Sequence, residues 1–203
     1  MSISSFLTKK FLKSLFFPAH NRGKALPKGL IRLLKKQPGF WDLPELPEIG
    51  SPLSNSGLIH DAQISISKKF NTKKCFFGVN GASGLIQSGI IAMANPGEYI
   101  LMPRNVHISV IKACALQNII PIFFDIEFSR VTGHYMPITK KWFTNVFNNI
   151  DFDNSKIAGV ILVSPYYQGY ATDLEPLIKI CHLHNLPVLV DEAHGSYFLF
   201  CEN

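Results

Sequence analysis

Asp191, Glu192 and His194 stand where a short apolar run, Val188 to Val190, breaks off in the string PVLVDEAHG. So compact an apolar run reads as a strand buried on both faces, and in open α/β sheets ligands bind outside the carboxyl ends of such strands. Two chemistries use an acidic strand end. One is a Walker B strand, whose carboxylates hold magnesium; the other is a cofactor strand, whose aspartate pairs with a pyridinium nitrogen. The bland alternative is a helix cap following a buried strand.

The magnesium reading requires a P-loop, Gly, four residues, Gly-Lys and then Ser or Thr, so that a lysine reaches the outer phosphates. No such string occurs in the chain, and despite the literal DEAH tetrapeptide a nucleic-acid helicase is set aside. A cofactor cation is left as the partner of Asp191. Three other strings share the strand-to-helix character. VNGASG, at 79–84, could cradle a phosphate on exposed amides, the Ser83 hydroxyl and a helix N-terminus, although a plain turn capped by Ser83 is as common. PRNVHIS, at 103–109, offers His107 to stack on an aromatic ring and Ser109 to bind phosphate; its simpler reading has Asn105 capping a helix and His107 half-buried at the surface. SPYYQG, at 164–169, brings two tyrosines that either line a pocket or pack on a neighbouring loop.

Other polar clusters carry less. His182 and His184 lie two apart on an expected helix, point in different directions and make a poor metal pair. Cys75, Cys114, Cys181 and Cys201 show no C-x-x-C spacing, so neither a zinc site nor a redox pair is indicated, and they read as reduced, mostly buried thiols.

The elements that must position these residues alternate from His60 onward. Helices are expected near 58–70, 83–93, 106–116, 139–147 and 173–184, and strands at 74–79, 98–102, 119–124, 157–163 and 187–191. That alternation implies a mostly parallel sheet with helices on both faces. The division expected is an N-terminal arm over 1–57 and an α/β domain over 58–203. Within the arm, Phe6, Leu7, Phe11, Leu12 and Leu15 recur at helical spacing, and a second basic segment over 26–36 places Leu30, Leu33 and Leu34 on one face. Residues 37–57 are rich in Pro, Gly and Ser, with Phe40, Trp41, Leu43, Leu46 and Ile49 as apolar anchors for an ordered connection.

The 203 residues are 47% hydrophobic and 17% charged, enough apolar material for one sizeable core. Apolar runs fall far short of the roughly 20 residues of a membrane span, so a soluble protein with no membrane partner is expected. The net charge of +6 is uneven, because no Asp or Glu precedes Asp42. Such a start suits a transit peptide or a polyanion-binding arm, and equally an amphipathic helix docked on the body, which is the reading adopted; nucleic acid is not an expected partner.

Taken together, PAHNRG, WDLPELPEIGSPLSNSGLIHDAQ, NGASG, PGEYILMPRNVHIS, SPYYQG and VLVDEAHG resemble the Orn/Lys/Arg decarboxylase family of pyridoxal 5′-phosphate enzymes. The match extends over nearly the whole chain from Phe17. The resemblance implies the aspartate aminotransferase (type I) fold, here as part of the major domain, with decarboxylation of arginine, lysine or ornithine. It implies that Asp191 pairs with the pyridine nitrogen, that His107 stacks on the ring, that Ala82 (through its backbone), Ser83 and Ser109 bind the phosphate, and that His194 lies near the phenolic oxygen. Trp41, Asp42 and Glu45 fall in a segment that helps shape the site and dimer contacts, so a homodimer or larger assembly is implied, with an amino acid as substrate.

Departures accompany the resemblance. Ala82, Leu85, Ile108 and Tyr166 stand where the family usually has Ser or Thr, Gly, a polar residue and Thr. The Schiff-base lysine of the family follows the aspartate in a Ser-x-His-Lys string, whereas every lysine here precedes Asp191, the last being Lys179. The expectation is therefore a truncated chain, a fragment or one half of a split enzyme, inactive alone and lacking a covalent tether for the cofactor. A non-catalytic remnant or partner-binding scaffold is the alternative. The strand over 74–79 is expected to have lost its sheet neighbours. The resemblance to cyanobacterial-type members and the richness in Ile, Phe, Asn and Lys point to a plastid or cytoplasmic location.

Overall fold

The computed structural model describes residues 26–44, 46–150 and 156–201. The helix expected near Phe6 to Leu15, the string PAHNRG and Glu45 lie outside them. The chain divides into two compact units, Met1–Asp61 and Ala62–Asn203.

In the first unit, helix α1 (Lys28–Leu34) begins after Pro27, whose fixed φ suits a helix start, and ends on Lys35. Phe40, Trp41, Leu43 and Leu46, expected to anchor the connection by burial, are exposed. What orders this segment is hydrogen bonding: Leu58 and Ile59 donate their amides to the carbonyls of Glu48 and Ile49 at 2.9 and 3.1 Å. Phe40 and Trp41 meet edge to face, with Lys36 Nζ 5.4 Å from the Phe40 ring.

Helix α2 (Leu58–Lys69) is followed by the segment expected to be a strand over 74–79, and here the structure corrects the sequence. Residues 74–78 form no strand, and Phe76, Phe77 and Val79 are exposed. The apolar, aromatic character of the segment favours extension, but a strand exists only by pairing, and among the described residues no ladder joins this segment. Gln63 supplies one substitute partner, its buried Oε1 accepting the Phe77 amide at 2.8 Å.

The remaining elements are α3 (Gly81–Met93), β1 (Tyr99–Pro103), α4 (Ile108–Gln117), β2 (Ile120–Phe124), a small hairpin of β3 (Phe128–Ser129) and β4 (His134–Tyr135), α5 (Lys140–Asn148), β5 (Ile157–Val163), α6 (Glu175–Leu183) and β6 (Val188–Asp191). The hairpin was not expected. The main sheet has the order β2-β1-β5-β6, and every pairing in it is parallel. Alternation along the strands sends side chains to two cores. Leu101, Val160 and Leu162 pack with Phe143 of α5 and Leu177 and Cys181 of α6. Ile100, Met102 and Ile161 pack on the other face, with Ile86 and Ile90 of α3 and Val110 and Ala113 of α4. Three layers, α/β/α, follow from this two-residue period.

The helix ends are chemically marked. Thr139 caps α5 by accepting the Trp142 amide at 3.2 Å. Asn118 ends α4 in the left-handed conformation that asparagine tolerates. Thr139→Ala is expected to lower stability by about 1 kcal/mol, since it leaves a helix amide without its acceptor. Urea denaturation measures this, and an unchanged midpoint would remove the cap from the account. Burial holds the Cys181 thiol protonated, its pKa pushed up to about 12, and raises that of Cys114. His184 stacks on Phe147 at 4.8 Å and is a packed histidine.

Candidate active site

From β1 the chain steps to β2 on one side and later to β5 on the other, so the order of strands reverses between β1 and β5. At such a switch point the loops leaving neighbouring strands diverge and open a crevice at the carboxyl edge. A cavity of about 450 Å³ occupies this place, within the range of about 300–1,000 Å³ usual for small-ligand sites. Residues from the ends of β1, β5 and β6 and from the first turn of α3 line it.

Ala82 and Ser83 come from that first turn and both line the cavity. Ser83 is not the cap. The helix starts earlier, at Gly81, after Asn80, whose side chain makes no capping hydrogen bond. Gly81 has φ +64°, a conformation that admits glycine at no cost and turns the chain into the helix. Among the described residues the leading amides of α3 thus have neither an intrahelical acceptor nor a cap from the Asn80 side chain, and the helix dipole adds positive potential at the same point. An anion is the natural complement.

Asp191 ends β6, opposite Val163 of β5, and its side chain lines the cavity although the residue is buried. Its main-chain carbonyl accepts the Ser164 amide at 3.1 Å, and its Oδ1 accepts the Ala193 amide at 3.2 Å. These bonds fix the carboxylate at the strand end. Partial burial raises the pKa of its neighbour Glu192.

His107 also lines the cavity, and it, rather than Asn105, caps α4. Its Nδ1 accepts the Ser109 amide at 3.1 Å and lies 2.8 Å from Ser109 Oγ. Because Nδ1 is an acceptor, a neutral ring carries its proton on Nε2. Ser109 is buried and does not line the cavity; it holds the imidazole from behind. His194 lines the cavity beside Tyr167, the two rings meeting edge on at 5.5 Å. Beneath them Gly195 is required by close approach, since a Cβ there would lie 2.6 Å from Pro165 Cδ and 2.8 Å from Glu192 Cγ. The loops after β5 and β6 interlock at this point.

Ala82, Ser83, His107, Asp191 and His194, expected from separate strings, are therefore brought to one cavity. Of the two tyrosines of SPYYQG, which could line a pocket or pack on a loop, Tyr167 lines the cavity; sequence reasoning did not select Asn105 as a site residue, nor the apolar wall of Ile86, Val106 and Val163. Asn105 was legible only as a cap. A short apolar run ending in a polar loop was the one signal that could have pointed to the wall.

Comparison with known proteins decides the family. A model described as Orn/Lys/Arg decarboxylase, major domain, matches residues 17–203. The chain belongs to the Orn/Lys/Arg decarboxylase family. The family's arginine decarboxylase from Bacillus cereus is 30% identical over 183 residues, which are 90% of this chain and 39% of that protein. The arginine decarboxylase of Bacillus subtilis is 29% identical over 183 residues, 90% of this chain and 36% of that one. The lysine decarboxylase LdcA of Pseudomonas aeruginosa is 26% identical over 140 residues, covering 69% and 17%. This Orn/Lys/Arg decarboxylase family member thus spans less than two-fifths of the length of these relatives.

Solved structures agree on the fold. The SepCysS–SepCysE N-terminal domain complex matches with a TM-score of 0.57 at 20% identity, over 69% of this chain and 37% of that one. Serine palmitoyltransferase from Sphingomonas wittichii matches with a TM-score of 0.50 at 18% identity, over 66% and 30%. The family member has the type I fold of pyridoxal-phosphate enzymes. Among the described residues no helix is long and apolar enough to cross a membrane.

Proposed function

We propose that the cavity is the pyridoxal phosphate site of a decarboxylase acting on a basic amino acid, arginine, lysine or ornithine. The observation that carries this reading is the sharing of one switch-point cavity by a buried carboxylate, Asp191, and an uncapped helix N-terminus at Ala82 and Ser83. A dianionic phosphate and a cationic ring nitrogen joined in one flat molecule complement that pair of features. The donor set fits the group: amides for the phosphate, a carboxylate for the nitrogen, an imidazole and apolar side chains for the ring.

When bound, the pyridine ring supplies an electron sink for the pair freed as carbon dioxide leaves the substrate. The residues of this chain have distinct tasks in that setting. Asp191 keeps a proton on the ring nitrogen by offering a buried negative charge to it, stronger there than in water. His107, held by Ser109, orients the ring. Ile86, Val106 and Val163 exclude water from the ring face, and the α3 amides with Ser83 bind the phosphate oxygens.

The described residues that line the cavity include no lysine, and in this reading they hold the cofactor through non-covalent contacts. Titration of the chain with pyridoxal phosphate is expected to give saturable, reversible binding. Pyridoxal, which lacks the phosphate, is expected to bind at least about tenfold more weakly, because it forfeits charge-assisted bonds to the helix end. Equal affinity for the two would sink the phosphate assignment. A borohydride-stable adduct on a lysine of the described residues would show instead that one reaches the ring.

A further inference from the structure

The first unit carries a surface that the cavity does not account for. In α1, Lys28 and Arg32, with Lys35 at the C-cap, recur at spacings of four and three and lie along one side of the helix. Leu30, Leu33 and Leu34, also three and four apart, fall on the opposite side. A helix that packs on its own protein covers such a stripe. Here no residue of α1 is buried, and the three leucines are 39%, 46% and 57% exposed. The apolar surface continues past the helix, where Phe40 and Trp41 meet edge to face and stay exposed, with Leu43 beyond them. Charge over the same stretch has one sign: Lys36 joins the three cations of the helix, and no Asp or Glu precedes Asp42.

Whatever covers this face has to supply apolar surface and negative charge side by side. A second copy of the chain offers leucines but brings as many cations to the same place, and like charges at close quarters repel. A nucleic-acid duplex offers phosphates and little apolar surface. An anionic lipid surface offers both at once, acyl chains for the leucines and aromatic rings, and headgroup phosphates for the lysines and arginine. The amphipathic ring of a tryptophan suits that boundary. The expectation of no membrane partner rests on the lack of an apolar run long enough to span a bilayer, and a helix lying in the plane of the interface needs none.

We propose that α1 and the segment after it bind the surface of anionic lipid bilayers. The helix lies in the interface with Leu30, Leu33 and Leu34 toward the acyl chains and Lys28, Arg32 and Lys35 toward the phosphates, while Phe40 and Trp41 enter at headgroup depth. None of these residues lines the cavity, so binding to lipid is expected with or without pyridoxal phosphate.

The test is co-sedimentation of the full chain with vesicles, phosphatidylglycerol mixed into phosphatidylcholine against phosphatidylcholine alone. Binding to the anionic vesicles is expected to weaken as salt is added and to exceed binding to the neutral ones by at least about tenfold. In a Trp142→Phe background Trp41 is the sole tryptophan, and its emission is expected to shift to the blue on binding. Replacing Lys28, Arg32 and Lys35 together by glutamine is expected to weaken partitioning about 100-fold, at about fivefold per charge. Leu33→Ser with Leu34→Ser is expected to weaken it about tenfold or more, with the unfolding midpoint unmoved because both leucines are exposed. Arg32→Leu with Leu33→Arg keeps charge and composition but mixes the two faces, and it too is expected to bind more weakly. Failure to sediment, equal binding to neutral vesicles, or undiminished binding in the serine pair or in the exchange overturns the inference. Sedimentation equilibrium supplies the other arm: a dimer of the parent chain that the serine pair abolishes assigns the face to a second copy and overturns it as well.

Discussion

Replacing Asp191 by alanine is expected to lower affinity for pyridoxal phosphate by about 100- to 1,000-fold, since breaking a buried charge pair by removing one partner costs several kcal/mol. The carboxylate is 6% exposed at the end of β6, and the ring nitrogen it would face loses its only anionic neighbour lining the cavity among the described residues. Stability should respond quite differently. In the free protein Asp191 Oδ1 accepts the Ala193 amide, a bond worth about 1 kcal/mol, and alanine removes the desolvation of a buried charge. Asp191→Ala should therefore fold with an unfolding midpoint close to that of the parent while its binding isotherm collapses. Binding within about threefold of the parent would show that the carboxylate serves the fold and not the ligand.

The largest stability effect is expected at Phe143. Its ring is fully buried and meets those of Phe124 and Phe147 at 5.7 and 5.1 Å, tying α5 to β2 and to its own last turn. Phe143→Ala leaves a cavity that these rings cannot close without abandoning their edge contacts, a loss of about 3–5 kcal/mol. Given the marginal stability of domains, this is a large share of the whole. Chemical denaturation with unchanged m-value is the measurement, and a loss below about 1 kcal/mol would mean that α5 repacks freely. The ring lies on the sheet face opposite α3 and α4, so under conditions where the variant remains folded its affinity for ligand should be nearly that of the parent.

These two residues show what is legible in a single sequence. The run 157–163 was placed as a strand at its observed limits, because seven apolar residues bounded by polar loops admit little else. The residues 74–79 carry nearly the same signal and form no strand, since a strand depends on partners that the run itself does not encode. The hairpin at Phe128–Tyr135 escaped notice because each of its strands has two residues, and the left-handed Gly133 between them was its only mark. In the site, Asp191, His107 and Ser83 could be found from local strings. Asn105 could not be read beyond its capping propensity, because the cavity it lines is assembled from the ends of strands far apart in the sequence.

β6 has a neighbour on one side only among the described residues, and Asp191 is its last residue. Within the sheet of the described residues, the carboxylate on which ligand affinity is expected to depend most is thus carried by the end strand, which is held by fewer neighbours against local fluctuations than an interior one. Each opening of β6 takes Asp191 out of the cavity, so measured affinity includes the free energy of keeping that strand docked. Amide hydrogen exchange at Leu189 to Asp191 would register that coupling directly, slowing as ligand saturates the site while exchange in the interior strand β5 stays the same.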